Sequence, residues 1–156
     1  AMEIPKSDWP GRIDGLAAQF GIGDFLSRHP YDLSGGEQQK CALCKLLLTE
    51  PEVLLLDEPT KGLDAFFKNQ FAEMLMELRA RGKTVLLVTH DVEFAAEVSD
   101  RCALFFDGQI IAQGEPNQFF SANNFYTTAA SRISRTLFPN AVVCRDVVEL
   151  CGRKSV

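Results

Sequence analysis

Asp57 and Glu58 close an apolar run, Val53–Leu56. Two adjacent carboxylates at such a place need a reason, because burying charge is costly unless it is paired or bound to metal. At the C-terminal end of a strand they face the crevice in which α/β sheets bind ligands. Successive residues of an extended chain point to different sides. One carboxylate can therefore hold Mg²⁺, directly or through water, while the other orients and deprotonates a water for in-line attack on phosphorus. Taken singly, the pair reads better as a strand end that caps the next helix.

Two further segments carry chemistry. In Ser34-Gly35-Gly36, paired glycines let the backbone approach a ligand closely. The helix N-terminus that follows offers free N–H groups and a positive partial charge, which together suit a phosphate. His90, in Val88-Thr89-His90-Asp91, can donate a hydrogen bond to a phosphoryl oxygen or position water, and can equally be a structural histidine. Cys41-Ala42-Leu43-Cys44 has the spacing of a redox or zinc pair. No second Cys/His pair lies at ligand distance, so these read as two small residues on a buried helix face.

These segments need elements to hold them. Ile13, Leu16, Ala17 and Phe20 predict an amphipathic helix within Trp9–Phe25, stopped at Gly21 and Gly23. Ser34 is the expected N-cap of the next helix, with Glu37 as its capping-box partner, and Pro51 is expected to end it. Val53–Leu56 suits a strand buried on both faces of a parallel sheet. A helix from about Asp64 closes at Gly82, and Thr84–Val88 is a second buried strand. Val92–Val98 is a short helix. Cys102–Phe106, Asp107-Gly108 and Gln109–Ala112 form the strongest hairpin signal. Pro116–Phe120 is helical, and helices are expected within Tyr126–Leu137 and Asp146–Cys151. The alternation predicts an α/β fold with a parallel sheet.

Composition narrows the classes. A length of 156 residues fits one domain or part of one, and an apolar share of 46% supports a packed core. The net charge of −5, with no basic stripe, argues against nucleic-acid binding. The apolar runs are too short to span a bilayer, and no signal-peptide pattern opens the sequence. Five cysteines without a secretory signal predict free thiols in a reducing compartment.

Each motif alone is weak, but their order and spacing are specific. Leu33–Lys40 resembles the signature motif of the ATP-binding-cassette (ABC) family. Leu54–Glu58 resembles its Walker B strand, Gly62-Leu63-Asp64 its D-loop and His90 its switch histidine. The match covers about residues 30 to 120. The resemblance implies a partial P-loop NTPase (RecA-like) parallel sheet with a C-terminal β-hairpin and part of the family's helical subdomain. It implies that Ser34, Gly35 and Gly36, with Glu37 and Gln38, contact ATP bound to a second ABC ATPase domain in a head-to-tail dimer. Asp57 would serve Mg²⁺, Glu58 would be the general base, Asp64 would couple the two sites, and His90 would sense the γ-phosphate. Transmembrane transporter subunits would hold such a protein on the cytoplasmic face of the cell membrane.

The family's Walker A loop, Gly-x-x-x-x-Gly-Lys-Ser/Thr, does not occur in this sequence. Gly82-Lys83-Thr84 is a decoy, since position 77 is Glu and the segment precedes a strand rather than opening a helix. The resemblance therefore implies a C-terminal fragment, inactive alone: a partial helical subdomain over 1–50, half an ATPase core over 51–120 and an extension over 121–156. Pro59-Thr60-Lys61-Gly62-Leu63-Asp64 is most like the importer branch, among the cobalt and energy-coupling-factor ATPases. In the family's fold a missing strand would expose an apolar edge at Thr84–Val88, which predicts self-association. The alternatives are an ABC-type ATPase of DNA repair or chromosome maintenance, disfavoured by the absence of heptads, and a non-enzymatic interaction module.

Overall fold

The computed structural model describes residues 5–122 and 126–153. The outermost residues of the expected 1–50 and 121–156 segments, and 123–125, lie outside the described residues. The chain divides into two compact units, Ala1–Thr89 and His90–Val156.

In the first unit, α1 (Trp9–Phe20) carries Pro10 in its first turn and stops at Gly21, whose φ of 60° lets its N–H turn back to the helix carbonyls. Helix α2 (Gly35–Leu47) buries Leu43, Cys44 and Leu47 and packs on α1. It ends at Leu47, earlier than the stop expected at Pro51. The Thr49 hydroxyl donates to the Leu46 carbonyl at 2.7 Å. Glu50 adopts a left-handed φ of 44°.

Strand β1 (Val53–Asp57), helix α3 (Ala65–Ala80) and strand β2 (Thr84–Val88) form a parallel βαβ unit. Val53 pairs with Thr84 and Asp57 with Val88. Helix α3 buries Phe67, Phe71, Ala72, Met74 and Leu75, and the Phe67 ring lies 5.4 Å from that of Phe20. Its end falls before Gly82, at φ 79°.

The burial of β1 corrects the expectation of a strand covered on both faces. Leu54 and Leu56 are buried, and opposite them stand Val85 and Leu87. The other face is open: Val53, Leu55, Leu86 and Val88 are 57%, 68%, 60% and 57% exposed. Among the described residues this sheet has two strands. An unbroken apolar run is thus the composition of a strand covered on both faces, while this chain covers one.

In the second unit, Asp91 accepts a hydrogen bond from the Phe94 N–H at 3.1 Å and caps α4 (Val92–Val98). Strands β3 (Cys102–Phe106) and β4 (Gln109–Gly114) pair antiparallel, with a register irregularity between Leu104 and Phe105. Asp107 and Gly108 have φ of 47° and 75°, the paired left-handed conformation of a type I′ turn. Helix α5 (Pro116–Ala122) brings Phe120 into a core with Ala96, Cys102 and Val142.

The helix expected within Tyr126–Leu137 is shorter. Thr128 takes the N-cap and α6 covers Ala129–Ser134 alone. The buried Thr128 hydroxyl donates to the Val142 carbonyl and accepts from the Ser131 N–H, so helix begins only after it. The last helix, α7 (Cys144–Arg153), starts where the Asp146 carboxylate accepts from the Val142 and Val143 N–H groups. Among the described residues no helix is long and apolar enough to cross a membrane.

A buried position of this unit and an open-face position of β1 should respond differently to substitution. Phe71→Ala, in the core, is expected to cost roughly 3–5 kcal/mol. Leu55→Thr, on the open face, should stay within about 0.5 kcal/mol of the parent. Urea unfolding followed by circular dichroism measures both, and equal losses would contradict the burial pattern.

Candidate functional site

The turn that opens α2 is closed by side chains. Ser34 is extended, with ψ 161°. Its hydroxyl accepts from the Glu37 N–H at 3.4 Å, and Glu37 Oε2 accepts from the Ser34 N–H at 2.7 Å. This is the capping box expected from the sequence. Arg28, which no sequence signal marked, donates to Glu37 Oε1 at 3.1 Å and to the Asp32 carbonyl at 2.6 Å. Gln38 Nε2 donates to the carbonyls of Pro30 and Leu33. The hydrogen bonds from Ser34, and then the Arg28 charge, hold the Glu37 carboxyl below its ordinary 4.5.

The two glycines differ. A Cβ on Gly35 would meet nothing within 4 Å, whereas one on Gly36 would stand 2.6 Å from the Gly62 carbonyl oxygen. Gly62 itself sits at φ 76°. The helix start and the Gly62-Leu63-Asp64 loop are therefore in direct backbone contact. Gln39 Nε2 donates to the Pro59 carbonyl at 3.2 Å, and Lys40 Nζ lies 2.8 Å from Asp64 Oδ2. Asp64 Oδ1 accepts from the Phe67 N–H at 2.8 Å and caps α3. The Lys40 bond, then the Phe67 N–H, keeps the Asp64 carboxyl below its usual range.

Asp57 is exposed at the end of β1, and Glu58 is half-buried directly after it. The Glu58 N–H donates to the Val88 carbonyl at 2.8 Å, so β2 holds the residue beyond the last strand pair. Thr89 Oγ1 donates to Glu58 Oε2 at 3.4 Å. Glu58 has φ 46°, a left-handed conformation uncommon for a side-chain-bearing residue and a frequent mark of functional sites. His90 is exposed and opens the second unit. The first unit thus brings together Ser34–Gln38 and Asp64, with Asp57 and Glu58 on its sheet.

Cys44 is buried and Cys41 half-buried on α2. Burial pushes Cys44 up to about 12 and also raises Cys41, opposite to what a reactive or ligating cysteine needs.

Ser34→Ala is expected to cost about 1 kcal/mol by removing the cap. Glu37 adds an acid dependence. Its folded value is depressed, so its contribution is complete above the ordinary 4.5 and is lost as pH falls through the lower folded value. Glu37→Gln should weaken the fall of the urea midpoint with acid, and an unchanged acid profile would contradict the capping geometry.

Comparison with known proteins bears on this arrangement. The ABC transporter family profile matches residues 6–61. A putative ABC transporter ATP-binding protein of Bacillus thuringiensis is 47% identical over 133 residues, covering 85% of this chain and 24% of that protein. The phosphate import ATP-binding protein PstB 2 of Mycobacterium tuberculosis is 40% identical, covering 81% of this chain and 47% of the relative. The energy-coupling factor transporter ATP-binding protein EcfA of Methanocaldococcus jannaschii is 32% identical, covering 85% and 47%. This chain therefore spans from about a quarter to about half of the relatives' length. The solved structure of CbiO1 from Clostridium perfringens, part of the ABC transporter complex CbiONQ, superposes with a TM-score of 0.65. It is 29% identical over 88% of this chain and 53% of that one. The chain belongs to the ABC family of transporter ATP-binding proteins, and its α/β architecture is part of that family's P-loop NTPase fold.

Proposed function

We propose that this chain is part of the nucleotide-binding subunit of an ABC importer and contributes the signature helix, general base, D-loop and switch histidine to ATP hydrolysis. The observation that carries the reading is the close approach of Gly36, in the Ser34-Gly35-Gly36 turn, to Gly62, four residues after Glu58 at the end of β1. The import direction is supported by the name of the PstB 2 relative. The energy-coupling-factor branch is supported by Pro59–Asp64 and by the EcfA likeness.

In this reading Glu58 takes a proton from water as its oxygen attacks the γ-phosphorus of ATP. The bond to the β-phosphate oxygen breaks and ADP leaves. His90 donates a hydrogen bond to a γ-phosphate oxygen. Asp57 fits Mg²⁺, which ordinarily takes one or two carboxylates and fills its other positions with phosphate and water. Mg²⁺ bound there would neutralise charge on the phosphates. Ser34, Gly35, Gly36, Glu37 and Gln38 would meet ATP held by a second ABC ATPase domain, head to tail. Transmembrane subunits would keep the assembly on the cytoplasmic face of the membrane. A DNA-repair or chromosome ATPase is less well supported, since the three relatives are all named as transporter or import ATP-binding proteins.

Two measurements test the reading. By itself the chain should bind no ATP in a calorimetric titration, and micromolar binding would overturn the need for the phosphate loop. Joined to a polypeptide that supplies that loop, it should hydrolyse ATP, and Glu58→Gln should lower turnover by ~10²–10⁴-fold; full turnover in the variant would refute the assigned base. The open face of Val53, Leu55, Leu86 and Val88 also leads us to expect self-association of the isolated chain, which a monodisperse monomer in light scattering would contradict.

A further inference from the structure

We infer that Lys40 is a positioning residue that ties the D-loop to the signature helix, so that Ser34-Gly35-Gly36 and Asp64 move as one body. The inference rests on the function proposed above for its effect on turnover, but its structural part stands on this chain alone.

Three residues of α2 reach the segment Pro59–Asp64: Gly36 through backbone contact with Gly62, Gln39 through the Pro59 carbonyl, and Lys40 through Asp64. They stand at i, i+3 and i+4, and therefore on one face of the helix. An exposed Lys–Asp pair is ordinarily worth little. This one differs in three respects. The Lys40 side chain is only 18% exposed. Its ammonium also lies 4.7 Å over the ring of Phe67, a residue 1% exposed in the core, so a cation–π contact fixes it from a second side. The Asp64 carboxylate is held at both oxygens, by Lys40 and by the Phe67 N–H.

Lys40 therefore joins helix, loop and core at one atom. A displacement at Ser34–Gly36 cannot leave Asp64 in place without separating this ammonium from its carboxylate and ring. That is the kind of discrete link through which two sites can couple.

The test uses Lys40→Met, which keeps the chain length over Phe67 and removes the charge, and Asp64→Asn, which breaks the same link while keeping an N-cap residue. Circular dichroism first establishes that both variants fold. In the isolated chain, NMR should show the Asp64 carboxyl of the Lys40→Met variant titrating nearer its ordinary 3.8. Both variants should show raised mobility of the Gly62 and Leu63 amides, and Lys40→Arg should restore much of the parent behaviour. An unchanged Asp64 titration with unchanged loop mobility would overturn the inference. In an ATP-hydrolysing assembly, Lys40→Met should lower kcat by roughly 2- to 30-fold with KM for ATP retained. A raised KM with kcat retained would also overturn it. Failure of the parent assembly to hydrolyse ATP would instead sink the proposed function, and the NMR result would still decide the Lys40 link.

Discussion

Where the carbonyl of Gly62 meets the α-carbon of Gly36, there is no room for a side chain. The approach needs a bare residue on the helix and a left-handed backbone in the loop, and both are glycine. Much follows from it. The turn at Gly62 brings Leu63 into the core and leaves Asp64 extended, where it can cap α3. With that loop in place, Gln39 and Lys40 each find a partner on it. Backbone geometry at two glycines thereby sets the position of a polar cluster made by other residues.

The carboxylate at Glu58 is placed by different means. Its N–H extends the pairing with β2 past the end of the regular strand, so the sheet fixes its backbone. Its left-handed φ costs on the order of 1 kcal/mol relative to an ordinary conformation. Sites built on rigid elements hold their geometry better than sites on free loops. The segment from Asp57 to Asp64 is short, and it is pinned at one end by a strand and at the other by a helix cap.

Local chemistry was legible in the sequence, and coverage was not. Ser34 with Glu37 announces a capping box, Asp107-Gly108 a tight hairpin turn, and Gly21 and Gly82 the ends of helices; each signal acts within a few residues, and each element is found. The open face of β1 was hidden, because Val53–Leu56 has the composition of a strand with neighbours on both sides, and composition does not say whether the neighbours are present. Helix α2 stops before Pro51 in a turn where the Thr49 hydroxyl bonds back to Leu46 and Glu50 takes a left-handed φ. The late start of α6 depends on Val142, fourteen residues from Thr128. Within the site, the motif residues could be named from spacing alone. Arg28, and the links made by Gln39 and Lys40, depend on chain segments that only folding brings together.

The parallel pairing of β1 with β2 has a consequence for synthesis. Residue 53 finds its partner at residue 84, across a whole helix. At about 5–20 residues/s, translation takes on the order of a few seconds to make that span. Throughout that time Val53–Leu56 is without β2, its partner among the described residues, whereas β3 can pair with β4 within microseconds of emerging, roughly 1–10 μs for a hairpin. The apolar segment ending in Asp57 and Glu58 thus waits for β2 far longer than either strand of the hairpin waits for its partner.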